Sequence, residues 1–372
     1  MIKFNKPYFS GKESEYIQQV IANGHTSGNG FFTEKCHQFF QQKYGFKKVL
    51  LTTSCTDALE MAAMLLNIQP GDEVIIPSFT FVSTALAFER QGAEIVFADS
   101  RPDNPGIDED KIESLITPKT KAIVVMHYAG IACDMDKIMS VANKYNLFVL
   151  EDAALAIDSY YKGKPLGTIG HLACFSFHET KNIQCGEGGM LAINDIQFEK
   201  RAEIIWEKGT NRAEFFRGEI NKYGWVDTGS SFLPSEITAA FLLAQTEDIE
   251  KVQKRRIEIW NNYYLALKPF EGKHFQLPLI PDYATNTGHA FYLIMNSEKE
   301  RDLFIRAMQE NGIQTSFHYQ SLHKSAFYLK SHTDKNLPYS NRYSECLVRL
   351  PLYFDVNENI IIDKISRYFL IS

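Results

Sequence analysis

Short apolar runs rich in β-branched residues recur along the first two thirds of the chain, and amphipathic segments separate them. Apolar strands that alternate with helices are typical of a mainly parallel α/β sheet covered by helices on both faces. In such sheets, ligands bind at the carboxyl ends of the strands. Strands are predicted at 49–51, 74–76, 95–97, 123–126 and 148–150, and helices at 57–66, 83–90 and 135–146.

The pattern changes after about residue 250. A charged, helix-like stretch precedes a proline-rich segment, and both lie outside the strand–helix alternation. With 372 residues, the chain is long enough for two domains. We therefore expect a large domain over 1–250 and a smaller α+β domain over 251–372. In the second domain, helices are predicted around 251–256, at 298–310 and at 358–369, and a strand at 291–294.

Composition argues against several classes of protein. The net charge is −6 and no run of Lys or Arg dominates, so we do not expect nucleic-acid binding. The six cysteines form no CxxC pair and match no zinc spacing, so we expect reduced thiols and no bound metal. No apolar run approaches the roughly 20 residues of a membrane span. The start of the chain lacks a signal-peptide core, so we expect a cytoplasmic protein without membrane insertion.

Two strand ends carry ionisable side chains. Asp152 follows an apolar strand and is either a solvated carboxylate or the partner of a cationic ring nitrogen, which a carboxylate keeps protonated. Lys181 follows the apolar segment that begins at Cys174 and is either a surface lysine or a Schiff-base lysine. A Schiff-base lysine must lose its proton, which partial burial near another cation favours. The hydroxyl neighbours Ser176 and Thr180 fit the second interpretation.

Two further segments follow predicted strands. The run Ser54-Cys55-Thr56 opens a predicted helix, as an ordinary N-cap or as a phosphate cradle. Phe81 belongs either to the core or to a surface that stacks on a flat cofactor ring.

Together and in this order, these segments resemble the pyridoxal phosphate (PLP)-dependent sugar aminotransferases of the DegT/DnrJ/EryC1/StrS family. The resemblance extends from the glycine loop at 28–30 to the segment at 350–353, and it implies the aspartate aminotransferase fold type I. Several runs look closest to members that make dTDP-4-amino-4,6-dideoxygalactose. These runs lie at 54–56, 59–63, 79–84, 127–130, 176–182 and 207–212.

The resemblance implies roles for the residues at the strand ends. Lys181 would hold pyridoxal 5′-phosphate and shuttle a proton, Asp152 would pair with the pyridine nitrogen, and Phe81 would stack on the ring. Cys55, Thr56 and Ser176 would bind the phosphate. In many relatives an Asn from the partner subunit also reaches that phosphate, and Ser231 stands at its place here.

Other positions concern the remaining cofactor contact and the substrate. Leu155 replaces the Gln or His that relatives place near the cofactor's phenolic oxygen, so that hydrogen bond is lost or replaced. His318 and Tyr319 match a segment at the rim of the family's active site and either reach the nucleotide sugar or pack the domain interface. Candidates for the nucleotide end are Lys208, Asn211 and Arg212, while His127 and His178 are expected to be structural.

The reaction implied is transamination from L-glutamate to dTDP-4-keto-6-deoxyglucose, in the synthesis of a cell-surface polysaccharide, by a homodimer with shared active sites. Formation of the gluco epimer and amination at C3 remain alternatives within this chemistry. A non-catalytic regulator that binds sugar nucleotides is the alternative of another class, and the presence of both Lys181 and Asp152 argues against it. Related dehydratases carry His in place of the lysine. The glycines at 186–189 do not form the GxGxxG of an NAD enzyme.

Overall fold

The structure, a computed structural model, describes residues 1–371. Its strands are β1 (Lys48–Thr52), β2 (Glu73–Pro77), β3 (Glu94–Ala98), β4 (Thr120–Met126), β5 (Phe148–Asp152), β6 (Tyr160–Tyr161), β7 (Lys164–Pro165), β8 (Leu172–Ser176), β9 (Gly189–Ile193), β10 (Phe275–Gln276), β11 (Phe291–Met295), β12 (Ser316–Phe317) and β13 (Leu347–Leu350).

The helices surround the two larger sheets. They are α1 (Glu13–Asn23), α2 (Phe31–Tyr44), α3 (Cys55–Leu65), α4 (Val82–Glu89), α5 (Glu109–Ile112), α6 (Met135–Tyr145), α7 (Glu199–Trp206), α8 (Arg212–Phe216), α9 (Glu236–Glu247), α10 (Ile249–Leu267), α11 (Glu298–Glu310), α12 (Pro338–Cys346) and α13 (Glu358–Ile371).

Seven strands form the large sheet, in the order β1-β9-β8-β5-β4-β2-β3. β9 runs antiparallel to both of its neighbours, β1 and β8. The other pairs in this sheet are parallel. This is the mainly parallel α/β sheet that the alternation of strands and helices predicts. Because the parallel strands share one direction, their carboxyl ends lie at one edge of the sheet.

Side chains of the central strands alternate between two apolar layers. Ile123 and Val125 of β4 pack on one face, together with helices α2, α6 and α9. Ala122 and Val124 pack on the opposite face, with α3, α4 and α7. Burial on both faces explains why these strands read as continuous apolar runs.

A second sheet, in the order β10-β11-β13-β12, is antiparallel throughout. Side chains of α10, α11 and α13 form its apolar core with β11 and β13. At the other end of the chain, Ile2 forms a bridge with Ile313 and packs against this core. The two sheets meet at an aromatic cluster that includes Phe79, Tyr128 and Tyr292.

The observed elements follow the predicted ones closely. α3 begins at Cys55 rather than Asp57, because the Ser54 side chain accepts a hydrogen bond from the Asp57 N–H and caps the helix. The predictions missed the helices α1, α2, α5, α7, α8, α9 and α12 and the strands β6, β7, β9, β10, β12 and β13. Strand β9 opens on Gly189, directly after a glycine-rich stretch, so its start has the sequence pattern of a turn. None of the helices within residues 1–371 is long and apolar enough to cross a membrane.

A buried carboxylate joins α9 to α2. Glu236, at the start of α9, is 2% exposed and accepts hydrogen bonds from the first-turn N–H groups of Phe32 (2.7 Å) and Thr33 (3.0 Å). It also accepts from the N–H of Gly30 at 3.1 Å and from the Thr33 hydroxyl. The first N–H groups of a helix have no partner within the helix, so this carboxylate caps α2 from a distance.

We expect Glu236→Gln to lower the free energy of unfolding by about 2 kcal/mol, because an amide nitrogen would face N–H donors that need an acceptor. Urea denaturation followed by circular dichroism measures the change. Glu34→Gln, which alters an exposed side chain in the first turn of the same helix, is the control and should cost little. Equal stability of the two variants would contradict the capping role.

Candidate active site

A cavity of about 750 Å³ lies at the carboxyl edge of the large sheet. It is walled by the start of α3, the segment that leads into α4, the ends of β4, β5 and β8, and the segment after β12. Most of the residues predicted for the site line this one cavity, although they are far apart in the sequence. Those that line it are Cys55, Thr56, Phe81, Asp152, Ser176, Lys181, His318 and Tyr319.

Asp152 is the last residue of β5 and is only 4% exposed. Its Oδ2 accepts a hydrogen bond from the Thr84 hydroxyl at 2.7 Å, and its Oδ1 accepts one from the Ala154 N–H at 3.2 Å. Burial raises the pKa of Asp152, while the Thr84 bond, the Ala154 N–H and the charge of Lys181 act in the opposite direction. A buried carboxylate with so few partners suits a cationic group such as a protonated ring nitrogen.

Lys181 lies in the bend that follows β8, and its side chain is half-buried in the cavity wall. Burial lowers the pKa of Lys181 to about 8, and Arg349 contributes in the same direction while Cys55 and Asp152 oppose it. An amine with this pKa is partly deprotonated near neutral pH and is therefore a competent nucleophile. The sequence predicted partial burial and a neighbouring cation but did not identify that cation as Arg349.

The N-terminus of α3 opens into the cavity. Ser54 caps the helix, and the N–H groups of Cys55 and Thr56 lie in its first turn, where a helix offers donors to an anion. The Thr56 hydroxyl lies 2.8 Å from the Ser83 hydroxyl, which ties this turn to the start of α4. A Cβ at Gly189 would overlap the backbone of Ser54 and Cys55, so only glycine lets β9 pass this close. The geometry fits a phosphate group.

Phe81 immediately precedes α4 and is 56% exposed at the cavity. Its ring centroid lies 6.0 Å from that of Tyr319. A large aromatic ring left open beside a cavity is suited to contact a flat ring. Together, the phosphate cradle, the carboxylate, the amine and the aromatic ring fit pyridoxal phosphate.

His318 uses both ring nitrogens within the protein. Its Nε2 lies 3.1 Å from Arg349 Nη1, and its Nδ1 lies 3.0 Å from the Tyr128 hydroxyl. Because arginine can only donate, Nε2 accepts and the proton is on Nδ1. Burial and the charges of Arg349 and Lys181 hold the pKa of His318 well below its usual range, so the ring is neutral. His318 thus presents its ring, rather than a free nitrogen, to the cavity.

Arg349 is a functional candidate that the sequence analysis missed. It lies on β13 within an otherwise apolar run, and its Nε is buried without a hydrogen-bond partner among residues 1–371. A charged residue inside an apolar strand is unusual, and this position in the sequence could have identified Arg349 as a candidate. Thr84 was also missed, although it follows Thr80 by four residues at a helix start.

Leu155 lines the cavity and packs in the aromatic cluster between the sheets. Because its side chain is apolar, it offers no hydrogen bond at this point of the cavity wall.

Three predicted residues lie outside the cavity of their own chain. Ser231 is exposed, and its backbone forms an isolated bridge with Glu207. Asn211 precedes α8 and accepts a hydrogen bond from the Gly224 N–H at 2.8 Å. Arg212 lies 3.6 Å from the Glu207 carboxylate.

The chain matches a family model described as the DegT/DnrJ/EryC1/StrS aminotransferase family over residues 7–366. The spore coat polysaccharide biosynthesis protein SpsC of Bacillus subtilis is 32% identical over 374 residues, which cover 98% of this chain and 95% of SpsC.

Two solved structures share the fold over nearly their full length. The Streptococcus pneumoniae protein Spr1654 in its PMP form has a TM-score of 0.92 at 25% identity, covering 100% of this chain and 99% of that one. Spr1654 has also been solved in its PLP form. The aminotransferase TlmJ of Streptoalloteichus hindustanus has a TM-score of 0.91 at 27% identity, covering 100% and 99%. These likenesses confirm the prediction of fold type I.

We expect the rate at which Lys181 attaches the cofactor to rise with pH and to level off above about pH 8, because only the deprotonated amine attacks and its pKa is lowered to about 8. Each pH unit below that value should slow attachment roughly tenfold. Stopped-flow absorbance, after pyridoxal phosphate is added to apo-protein, measures the visible band as it forms.

Lys181→Ala should give no such band, whereas Lys299→Ala, which changes an exposed lysine of α11, should behave as the unaltered protein. A rate that does not change between about pH 6 and pH 8 would contradict the lowered pKa.

Proposed function

Because this chain belongs to the DegT/DnrJ/EryC1/StrS family and is a PLP-dependent sugar aminotransferase, we propose that it aminates C4 of dTDP-4-keto-6-deoxyglucose. The amino donor is L-glutamate, and the products are dTDP-4-amino-4,6-dideoxygalactose and 2-oxoglutarate. The observation that carries the chemistry is the placement of Lys181 and Asp152 in one cavity, beside the N-terminus of α3.

The bound cofactor supplies an electron sink and carries the amino group from donor to acceptor. Lys181 holds the cofactor and then moves a proton at the reacting carbon, for which an amine with a pKa of about 8 is suited. Asp152 would keep the ring nitrogen protonated, and Phe81 would orient the ring by stacking. Leu155 would offer the phenolic oxygen no hydrogen bond.

The end of the cavity formed by α3 and β8 would hold the phosphate. The backbone N–H groups of Cys55 and Thr56 would donate to it, and the Ser176 hydroxyl lies at the adjacent strand end. These donors would hold the cofactor at its phosphate, and Asp152 would hold it at its ring nitrogen. Lys181, in the same cavity, would then reach the carbon that reacts.

The nucleotide sugar enters past the segment after β12. Tyr319 contributes a phenol at the cavity wall, and His318 supports the wall through Tyr128 and Arg349. This is a positioning role for His318, since neither of its ring nitrogens is free.

A second copy of the chain completes the site. Ser231, Asn211 and Arg212 lie in or beside a segment that exposes large apolar side chains, with Trp225 84% exposed and Phe216 67% exposed. Water-exposed aromatic clusters mark interaction surfaces. We infer a homodimer in which Ser231 of the partner subunit reaches the cofactor phosphate, and Asn211 and Arg212 reach the nucleotide.

Two alternatives share Lys181: amination to the gluco epimer, and amination at C3. They differ from our proposal only in how the sugar lies against the cavity wall. A regulator that binds sugar nucleotides without catalysis is a further alternative. It would not need an amine of lowered pKa beside a buried carboxylate.

The purified protein, incubated with dTDP-4-keto-6-deoxyglucose, L-glutamate and pyridoxal phosphate, should release 2-oxoglutarate and a 4-amino sugar. Proton coupling constants in the NMR spectrum of the product ring distinguish an axial from an equatorial amine. The galacto configuration supports the proposal, and the gluco configuration or a 3-amino product selects an alternative. The absence of any amino sugar, with the cofactor bound, would favour the regulator.

We expect Trp225→Glu to convert the dimer to a monomer and to weaken cofactor binding, because a charge would replace an apolar contact and remove the partner's Ser231. Sedimentation velocity measures the association. Leu370→Glu is the matched control, since Leu370 is 76% exposed on α13. A Trp225→Glu protein that remains dimeric would argue against this surface.

A further inference from the structure

Two threonine hydroxyls connect in series to the carboxylate of Asp152. The Thr84 Oγ1 lies 2.7 Å from Asp152 Oδ2, and the Thr80 Oγ1 lies 2.8 Å from the Thr84 Oγ1. All three side chains are buried, and Thr84 is fully buried. Thr84 lies in the first turn of α4, and Thr80 lies in the segment that precedes the helix.

The two hydrogen bonds of this series are donated in the same direction, toward Asp152. An ionised carboxylate only accepts hydrogen bonds, so Thr84 donates to Asp152. A hydroxyl has one hydrogen, so the Thr84 oxygen is then left to accept from Thr80. Each bond polarises the next, which strengthens the bond at the carboxylate. The arrangement stabilises the ionised form of Asp152, because a protonated carboxyl would be a weaker acceptor.

We propose that Thr80 and Thr84 hold Asp152 ionised and in place, which makes Thr84 a positioning residue for the ring nitrogen of the cofactor. The proposal deepens the function proposed above and rests on it only for the cofactor, not for the identity of the sugar. Asp152 must remain charged in a buried position if it is to keep the ring nitrogen protonated. Burial alone works against that charge.

No other side chain among residues 1–371 donates a hydrogen bond to the Asp152 carboxylate, whose remaining bond comes from the Ala154 N–H. Of the groups around it, Lys181 and His127 both lower the pKa of Asp152 by their charge, and burial raises the pKa of the thiols and of the phenol so that they stay neutral. His127 directs its Nε2 to Glu151 at 3.0 Å. The titratable groups that face Asp152 are Cys55 on α3, His127 after β4, Cys174 on β8, Lys181 after β8 and Tyr319 after β12.

The test compares Thr84→Val, which removes the hydroxyl, with Thr84→Ser, which keeps it. The dissociation constant for pyridoxal phosphate is measured by quenching of intrinsic fluorescence, and the visible band of the bound cofactor is titrated with pH. Thr84→Val should raise the dissociation constant about tenfold. It should also move the titration midpoint up by about one unit, since a ring nitrogen that loses its proton no longer opposes protonation of the Lys181 nitrogen. Thr84→Ser should stay within about twofold of the unaltered protein.

A double-mutant cycle tests the connection in series. Thr80→Val alone should shift both quantities in the same direction by a smaller amount, and it should add nothing in the Thr84→Val background because the chain is already broken. Independent, additive effects would overturn the proposal. So would an unchanged dissociation constant and midpoint in Thr84→Val, or a Thr84→Ser protein as impaired as Thr84→Val.

If Thr84→Val does not fold, Thr80→Val decides, since it leaves the contact to Asp152 in place; unchanged cofactor binding and midpoint would then refute the chain. These measurements use the cofactor alone. A protein that meets them but aminates no dTDP-linked keto sugar would refute the proposed function and leave the role of Thr84 intact.

Discussion

The carboxylate of Asp152 stands at the end of a strand that is buried on both faces, and the rest of the site is arranged around that position. Parallel strands deliver their last residues to one edge of the sheet, so β5 brings Asp152, β8 brings Ser176 and the bend after it brings Lys181. Layers of helix on both faces fix the register of these strands. A carboxylate at this place is removed from water, so its charge acts more strongly on a neighbouring cation.

Burial shifts the pKa values of the acid and of the amine in opposite directions, and both shifts favour the neutral form. It raises the pKa of Asp152 and lowers that of Lys181, so each is moved toward its neutral form. A neutral amine is what a nucleophile requires, and the lysine needs no further help. A neutral carboxyl would fail beside a ring nitrogen. The hydrogen bond from Thr84 supplies a force that favours the ionised acid.

Two residues of the cavity wall are held by contacts between the two sheets. Leu155 packs into the aromatic cluster that joins the two sheets, so the position serves cohesion between the sheets rather than hydrogen bonding. His318 is locked by Tyr128 and Arg349, and its neutrality follows from an arginine that can only donate. Both residues tie the wall to the C-terminal sheet.

The amino-acid sequence by itself determined the strand–helix alternation, and its resemblance to the family singled out Lys181, Asp152, Cys55, Thr56 and Phe81 as a set. Periodicity is local, and chemistry at strand ends is visible because charged or hydroxyl residues interrupt apolar runs. Tertiary structure alone decided that Arg349 lies near Lys181, that both nitrogens of His318 are engaged, and that Thr84 donates to Asp152. Those relations join residues up to 190 positions apart in the sequence. The strength of these interactions depends on burial and on which group donates each hydrogen bond, and a local sequence pattern encodes neither.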